Sequence, residues 1–109
     1  MSENDAQKVM MELQQDQQRI QQVLQQKEET ETELHESKRA LEELKNDDDG
    51  NVYRQVGNIL VSKDRETLKN DLEEKVEDLE VRKKSLDKKE EKLQKKMQES
   101  QKKLQGSFQ

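Results

Sequence analysis

No cysteine, proline or tryptophan occurs among the 109 residues, and there is one tyrosine, one phenylalanine and one histidine. Without cysteine there is no disulfide framework and no thiol chemistry. With 2% aromatic and 27% hydrophobic residues, the chain cannot assemble a compact globular core, because ordering each residue costs about 1–2 kcal/mol of conformational entropy. His35 has no second histidine or cysteine with which to hold a metal, so it reads as a solvated helix residue. The three glycines, Gly50, Gly57 and Gly106, form no phosphate-binding fingerprint. Acidic pairs abound, but exposed helices offer them no cleft in which to act on a substrate. No catalytic constellation, metal site or cofactor site is expected, and the chain is not expected to be an enzyme. The opening residues are polar and acidic, which predicts no secretory signal. No apolar run approaches the roughly 20 residues of a membrane span. A soluble, cytoplasmic protein is expected.

What is present is charge, 43% of all residues, laid over a seven-residue repeat. That leaves either disorder or long helices burying a narrow stripe, and the repeat decides for helices. Between residues 5 and 45, Leu13, Ile20, Lys27, Leu34 and Leu41 occupy one seam position. Val9, Asp16, Val23, Thr30, Ser37 and Leu44 occupy the other, so seven of eleven seam sites are apolar. The run Asn46–Asn51, with three acids and a glycine, then stops the helix. From 64 to 105, Leu72, Leu79, Leu86 and Leu93 recur every seven residues. Val76, Met97 and Leu104 lie on the companion seam, interrupted by Lys83 and Glu90. Ser62 or Asp64 is the expected N-cap.

Between the helices lies the only stretch rich in β-branched residues, Val52-Tyr53-Arg54-Gln55-Val56-Gly57-Asn58-Ile59-Leu60-Val61. Gly57 followed by Asn58 is a two-residue hairpin signal, since glycine reaches positive φ without steric cost. With that turn, Val56 faces Ile59, Gln55 faces Leu60 and Arg54 faces Val61. A lone two-stranded hairpin is marginal in water. Its edges carry no proline, so they are expected to pair with strands of other chains.

Two helical segments of about 41 residues each, about 60 Å long by helical rise, predict an antiparallel pair joined by a short connector. Residue i would then lie beside a residue near 109 − i. Leu34 would meet Val76, Val23 would meet Leu86 and Leu13 would meet Met97. The weakest layer in that register is Lys27 against Lys83, tolerable if both stems snorkel toward water. The expected fold is therefore mainly α, a long antiparallel two-helix coiled coil joined by a single β-hairpin. It forms one unit over 1–109, with helices at 5–45 and 64–105 and the linker and hairpin at 46–63.

Charge swings along the second helix, from eight acids and three bases in 64–80 to four acids and ten bases in 81–109. Lysines near a helix C-terminus complement the macrodipole and keep the surface soluble. The same run could dock an acidic partner; nucleic acid is a weaker fit, since Phe108 is the only aromatic near the lysines. All four methionines lie near the ends, and the predicted register gathers Met10, Met11 and Met97 far from the hairpin, with Leu104 and Phe108 beside them. Adjacent Met10 and Met11 cannot both enter one seam, so at least one faces water. Methionine is flexible and polarizable and suits a surface that takes many partners.

The segment Asn51–Lys63 resembles the V-Y-x-x-V-G-x-x-L-V hairpin of the prefoldin family, in its β-type, archaeal-like subunits. Lys38-Arg39-Ala40-Leu41-Glu42-Glu43-Leu44 before it supports the likeness, and helix–hairpin–helix is that family's complete architecture. An α-type subunit would need room for two hairpins, whereas residues 46–63 have room for one. Asn58 stands where some members carry proline after the glycine. The resemblance implies an ATP-independent chaperone subunit in the cytoplasm, part of a heterohexamer of two α-type and four β-type subunits. It implies capture of unfolded polypeptides and their transfer to a group II chaperonin, with no nucleic acid, membrane or cofactor involved. Carried over by position, Val52, Tyr53, Val56, Gly57, Ile59, Leu60 and Val61 would serve assembly. Val9, Met10, Met11, Leu13, Met97, Leu104 and Phe108 would face the client. Two alternatives stay open at this point: a structural coiled-coil adaptor with no preference for unfolded clients, and a basic helical arm that binds RNA.

Overall fold

The computed structural model describes residues 2–46 and 50–107. The element order is α1 (Glu3–Asn46), β1 (Val52–Val56), β2 (Ile59–Lys63) and α2 (Arg65–Ser107), so two long helices flank one antiparallel hairpin. Each helix starts at a side-chain cap. Ser2 Oγ accepts from the Asp5 backbone N–H at 3.2 Å, and the Asp5 carboxylate accepts in turn from the Ser2 N–H at 3.2 Å and hydroxyl at 2.8 Å. That reciprocal box starts α1 two residues before the expected position. These bonds, the Ser2 hydroxyl first, hold the Asp5 carboxyl below its ordinary value. Of the two cap candidates for α2, Asp64 is the one used. Its carboxylate accepts from the Thr67 N–H at 3.1 Å and from the Thr67 hydroxyl at 3.0 Å.

The described chain divides into two compact units, each built from parts of both helices. One comprises residues 1–29 and 83–109. Its covered positions alternate by three and four: Ala6, Val9, Leu13, Asp16, Ile20, Val23 and Lys27 on α1, and Lys83, Leu86, Glu90, Leu93, Met97, Ser100 and Leu104 on α2. Val23, Leu86 and Leu93 form its apolar centre, with Ile20 packed against them. Each such side chain contributes about 1.5–3 kcal/mol when fully buried. The seam departs from the predicted register. Val23 packs in one cluster with both Leu86 and Leu93, and Lys27 turns to Asp87 and Glu90 rather than to Lys83. A flexible four-carbon stem finds the nearest carboxylates, which heptad bookkeeping cannot foresee.

The other unit comprises residues 30–82. Here Thr30, Leu34 and Ser37 are buried on α1 and Leu79 on α2, with Leu41, Leu44, Leu68, Leu72 and Val76 half-buried. The strands pair Val52 with Lys63, Tyr53 with Ser62, Arg54 with Val61, Gln55 with Leu60 and Val56 with Ile59, as the Gly-Asn turn requires. Gly57 has φ +60° while Asn58 stays at negative φ, the pattern of a type II′ turn. Arg65, the first residue of α2, donates to the Leu44 carbonyl at 2.9 Å and to the Gly50 carbonyl at 2.7 Å. Leu44 lies in the last turn of α1, where carbonyls lack helical partners, so this arginine closes that end.

Candidate interaction surfaces

Strand pairing sorts the hairpin side chains onto two faces. Val52, Arg54, Val56, Ile59, Val61 and Lys63 share one face; Tyr53, Gln55, Leu60 and Ser62 share the other. Only Val52 and Val61 are half-covered, both on the first face. Val52 and Tyr53 help line a cleft of about 300 Å³ with Ala40, Leu44, Leu68 and Leu72. Tyr53, Val56, Ile59 and Leu60 are exposed, Leu60 by 70% and Ile59 by 62%. Both strands are edges of a two-stranded sheet, with backbone donors and acceptors unpaired on their outer sides. The ribbon thus exposes apolar side chains on both faces and is open at both edges.

In the unit that holds the chain ends, the expected site residues separate. Val9 is buried in the seam, and Leu13, Met97 and Leu104 are half-covered by it. Met10 and Met11 follow Val9 around the helix and stand clear, at 49% and 61% exposure. Phe108 lies outside the described residues. Sequence reasoning missed Leu24, exposed in this unit, and Val81, exposed in the other. Both fall one or two residues past a seam position, the signal that could have found them. Among the described residues, no cluster of histidine, cysteine, aspartate and glutamate is placed to hold a metal. No described helix is long and apolar enough to cross a membrane.

Electrostatics in this unit are concentrated at two seam layers. Lys27 Nζ lies 2.9 Å from an Asp87 oxygen and 2.7 Å from a Glu90 oxygen. The hydrogen bond to Asp87, then that to Glu90, pushes the ammonium above its ordinary value. Asp16 is buried at 1% exposure, and neither of its carboxylate oxygens has a hydrogen-bond partner. Arg19 and Lys96 approach it only to 3.6 and 3.7 Å. Further along, Arg19, Lys89 and Lys92 line a cleft of about 510 Å³ with Gln22, Gln26 and Leu93. That cleft is basic and holds no carboxylate in its lining.

Comparison with known proteins decides the family. A family model described as "Prefoldin subunit" matches residues 7–109. The chain belongs to the prefoldin subunit family. Its fold is similar to the crystal structure of the prefoldin beta subunit from Thermococcus strain KS-1, with a TM-score of 0.82 and 36% identity over 94% of this chain and 91% of that one. A prefoldin subunit beta from Archaeoglobus fulgidus is 45% identical over 61 residues, 55% of this chain and 53% of that protein. The chain thus spans about half the length of that relative. Prefoldin membership accounts for the helix–hairpin–helix order.

Proposed function

We propose that this prefoldin chain is a β-type subunit of an ATP-independent chaperone, one of four that assemble with two α-type subunits. In this reading the hairpin gathers the subunits, and the unit holding the chain ends captures unfolded polypeptides and passes them to a group II chaperonin in the cytoplasm. The observation that carries it is the division of exposed apolar side chains. The hairpin offers Tyr53, Val56, Ile59 and Leu60, and a different unit offers Met10 and Met11. A single surface for self-association would not need both. Several copies, each with a small apolar patch, hold one client through linked weak contacts, which raises affinity by about 10²–10⁴ over a single site. Release then needs only competition for those contacts, so no nucleotide is consumed. The lysine-rich end of α2 is the surface on which an acidic partner such as the chaperonin would dock.

The test replaces Met10 and Met11 together by serine and assembles the variant with an α-type subunit. The assembly should keep its mass, while its suppression of light scattering by a diluted, chemically unfolded enzyme should fall severalfold. Full protection by the variant would remove these methionines from the mechanism.

A further inference from the structure

Residues 9–26 of α1 are the least charged part of the two helices. They hold three charged side chains, Glu12, Asp16 and Arg19, where the composition of the whole would place about eight. Eight of the eighteen residues are glutamine instead. At 100° per residue Glu12, Asp16 and Arg19 fall on one side of the helix. Gln14, Gln17, Gln18 and Gln21 fall on the opposite side and are exposed. Together with Ile20 and Met97 these four line a cleft of about 470 Å³. Met10 and Met11 flank the same side one to two turns earlier, so apolar and amide groups run on without an intervening charge. Among the described residues, none of the four glutamine side chains is hydrogen-bonded to another residue.

Along α2 the exposed surface is mostly lysine and glutamate, as at Lys84, Lys88, Glu91, Lys95 and Lys102, with Gln94, Gln98, Gln101 and Gln105 interspersed toward its end. Solubility alone therefore does not explain a neutral face. An unfolded polypeptide presents two things at once: apolar side chains and a main chain whose N–H and C=O groups are unpaired. A charged surface answers the first poorly, and a purely apolar one leaves the second unsatisfied. Glutamine carries both a carbonyl acceptor and an NH₂ donor at the end of a flexible stem, so it can pair with either main-chain group. It also suits a helix, where asparagine or serine would compete for the backbone.

We infer that the cleft lined by Gln14, Gln17, Gln18, Gln21, Ile20 and Met97 binds the extended main chain of an unfolded polypeptide, its glutamine amides pairing with peptide N–H and C=O groups. This deepens the capture reading and rests on it. It makes the unit a reader of backbone as well as of greasy side chains, independent of client sequence and weakly dependent on salt.

Two probes separate the contributions. One is a short, capped, uncharged peptide of leucine, serine and glycine. The other is its twin, in which alternate main-chain amides are replaced by esters, which removes N–H donors and keeps every side chain. Each is titrated into isotope-labelled full-length chain and followed by NMR. The amide peptide should move the side-chain NH₂ signals of the four glutamines and bind about 5- to 10-fold more tightly than the ester, the worth of roughly one net hydrogen bond. Replacing the four glutamines by alanine, which keeps helix propensity, should abolish that preference, weakening the amide peptide more than the ester. Equal binding of amide and ester to the unaltered chain, or a preference that survives the alanine variant, overturns the inference. The serine variant of Met10 and Met11 should weaken both probes alike. If it leaves client protection intact while amide–ester discrimination persists, the methionine capture reading fails and the amide face stands.

Discussion

Lys27 Nζ lies 2.7 Å from Glu90, across the seam between the two helices, and both side chains are about four-fifths covered. A charge in such a place is tolerable only while its partner is present, because the partner replaces the water that burial removed. Replacing Lys27 by leucine should therefore destabilise the chain by stranding Glu90, although leucine is the more apolar residue. Replacing Glu90 alone should do so less, since Asp87 still reaches Lys27 at 2.9 Å. Converting both Lys27 and Glu90 to leucine should restore stability to the original level or above it. Urea denaturation of the two single variants and the double variant supplies the cycle, and additive losses would show that the pair is not coupled.

Asp16 is the counter-case, a buried carboxylate whose cations stop short of hydrogen-bond distance. Its two oxygens lose water and regain little. Asp16→Leu should raise the unfolding free energy by about 1–3 kcal/mol, as replacement of poorly satisfied buried charge commonly does. Polar seam residues can fix register at a cost in stability. The same variant should accordingly show, by spin-label distances between the helices, a broader spread of registers. A destabilised variant with one sharp register would mean that Lys96 and Arg19 satisfy Asp16 better in solution.

The spread between what was legible and what was not follows the reach of the interactions. The seam could be read because leucines at Leu72, Leu79, Leu86 and Leu93 obey a period set by helix geometry alone. The hairpin was equally plain, since Gly57 supplies the positive φ its turn requires and the flanking β-branched residues occur nowhere else together. That at least one of Met10 and Met11 is exposed followed from adjacency, because neighbours on a helix cannot share one seam; in the structure both are. The choices of long side chains were hidden. Lys27 had several acids within range, and which of them it meets depends on how the two seams are aligned. Arg65 pairs with a carbonyl 21 residues away, and no local pattern announces that. The neutral side of α1 was open to counting, but only the cleft with Ile20 and Met97 makes it a surface.

Arg65 joins two segments that have no helical bonds in common. Its guanidinium holds the Leu44 carbonyl and the Gly50 carbonyl at once, a task that needs its fork of donors. Arg65→Ala should cost about 2 kcal/mol, in line with hydrogen bonds from a charged donor to backbone. Arg65→Lys should recover only part of this, because an ammonium is a compact point charge on one stem. Hydrogen exchange should localise the loss to the last turn of α1 and the first turn of α2. Uniformly faster exchange across both helices would instead indicate a global role.

The hairpin residues test assembly separately from folding, because they contribute little to the subunit's own core. Val56 and Ile59 face one another across the turn at 53% and 62% exposure, so removing them from the isolated chain costs almost nothing. Buried in an assembly, their still exposed surface would together supply about 2–3 kcal/mol per subunit. Aspartate at both positions removes that gain and adds two charges that must be desolvated. Val56→Asp with Ile59→Asp should thus leave helical circular dichroism and thermal melting of the chain unchanged. Mixed with an α-type subunit and weighed by sedimentation, it should remain unassembled, with association weakened by more than about 100-fold. A variant that still reaches full mass would place the contacts that gather the subunits on the helices, and the exposed ribbon would need another occupant.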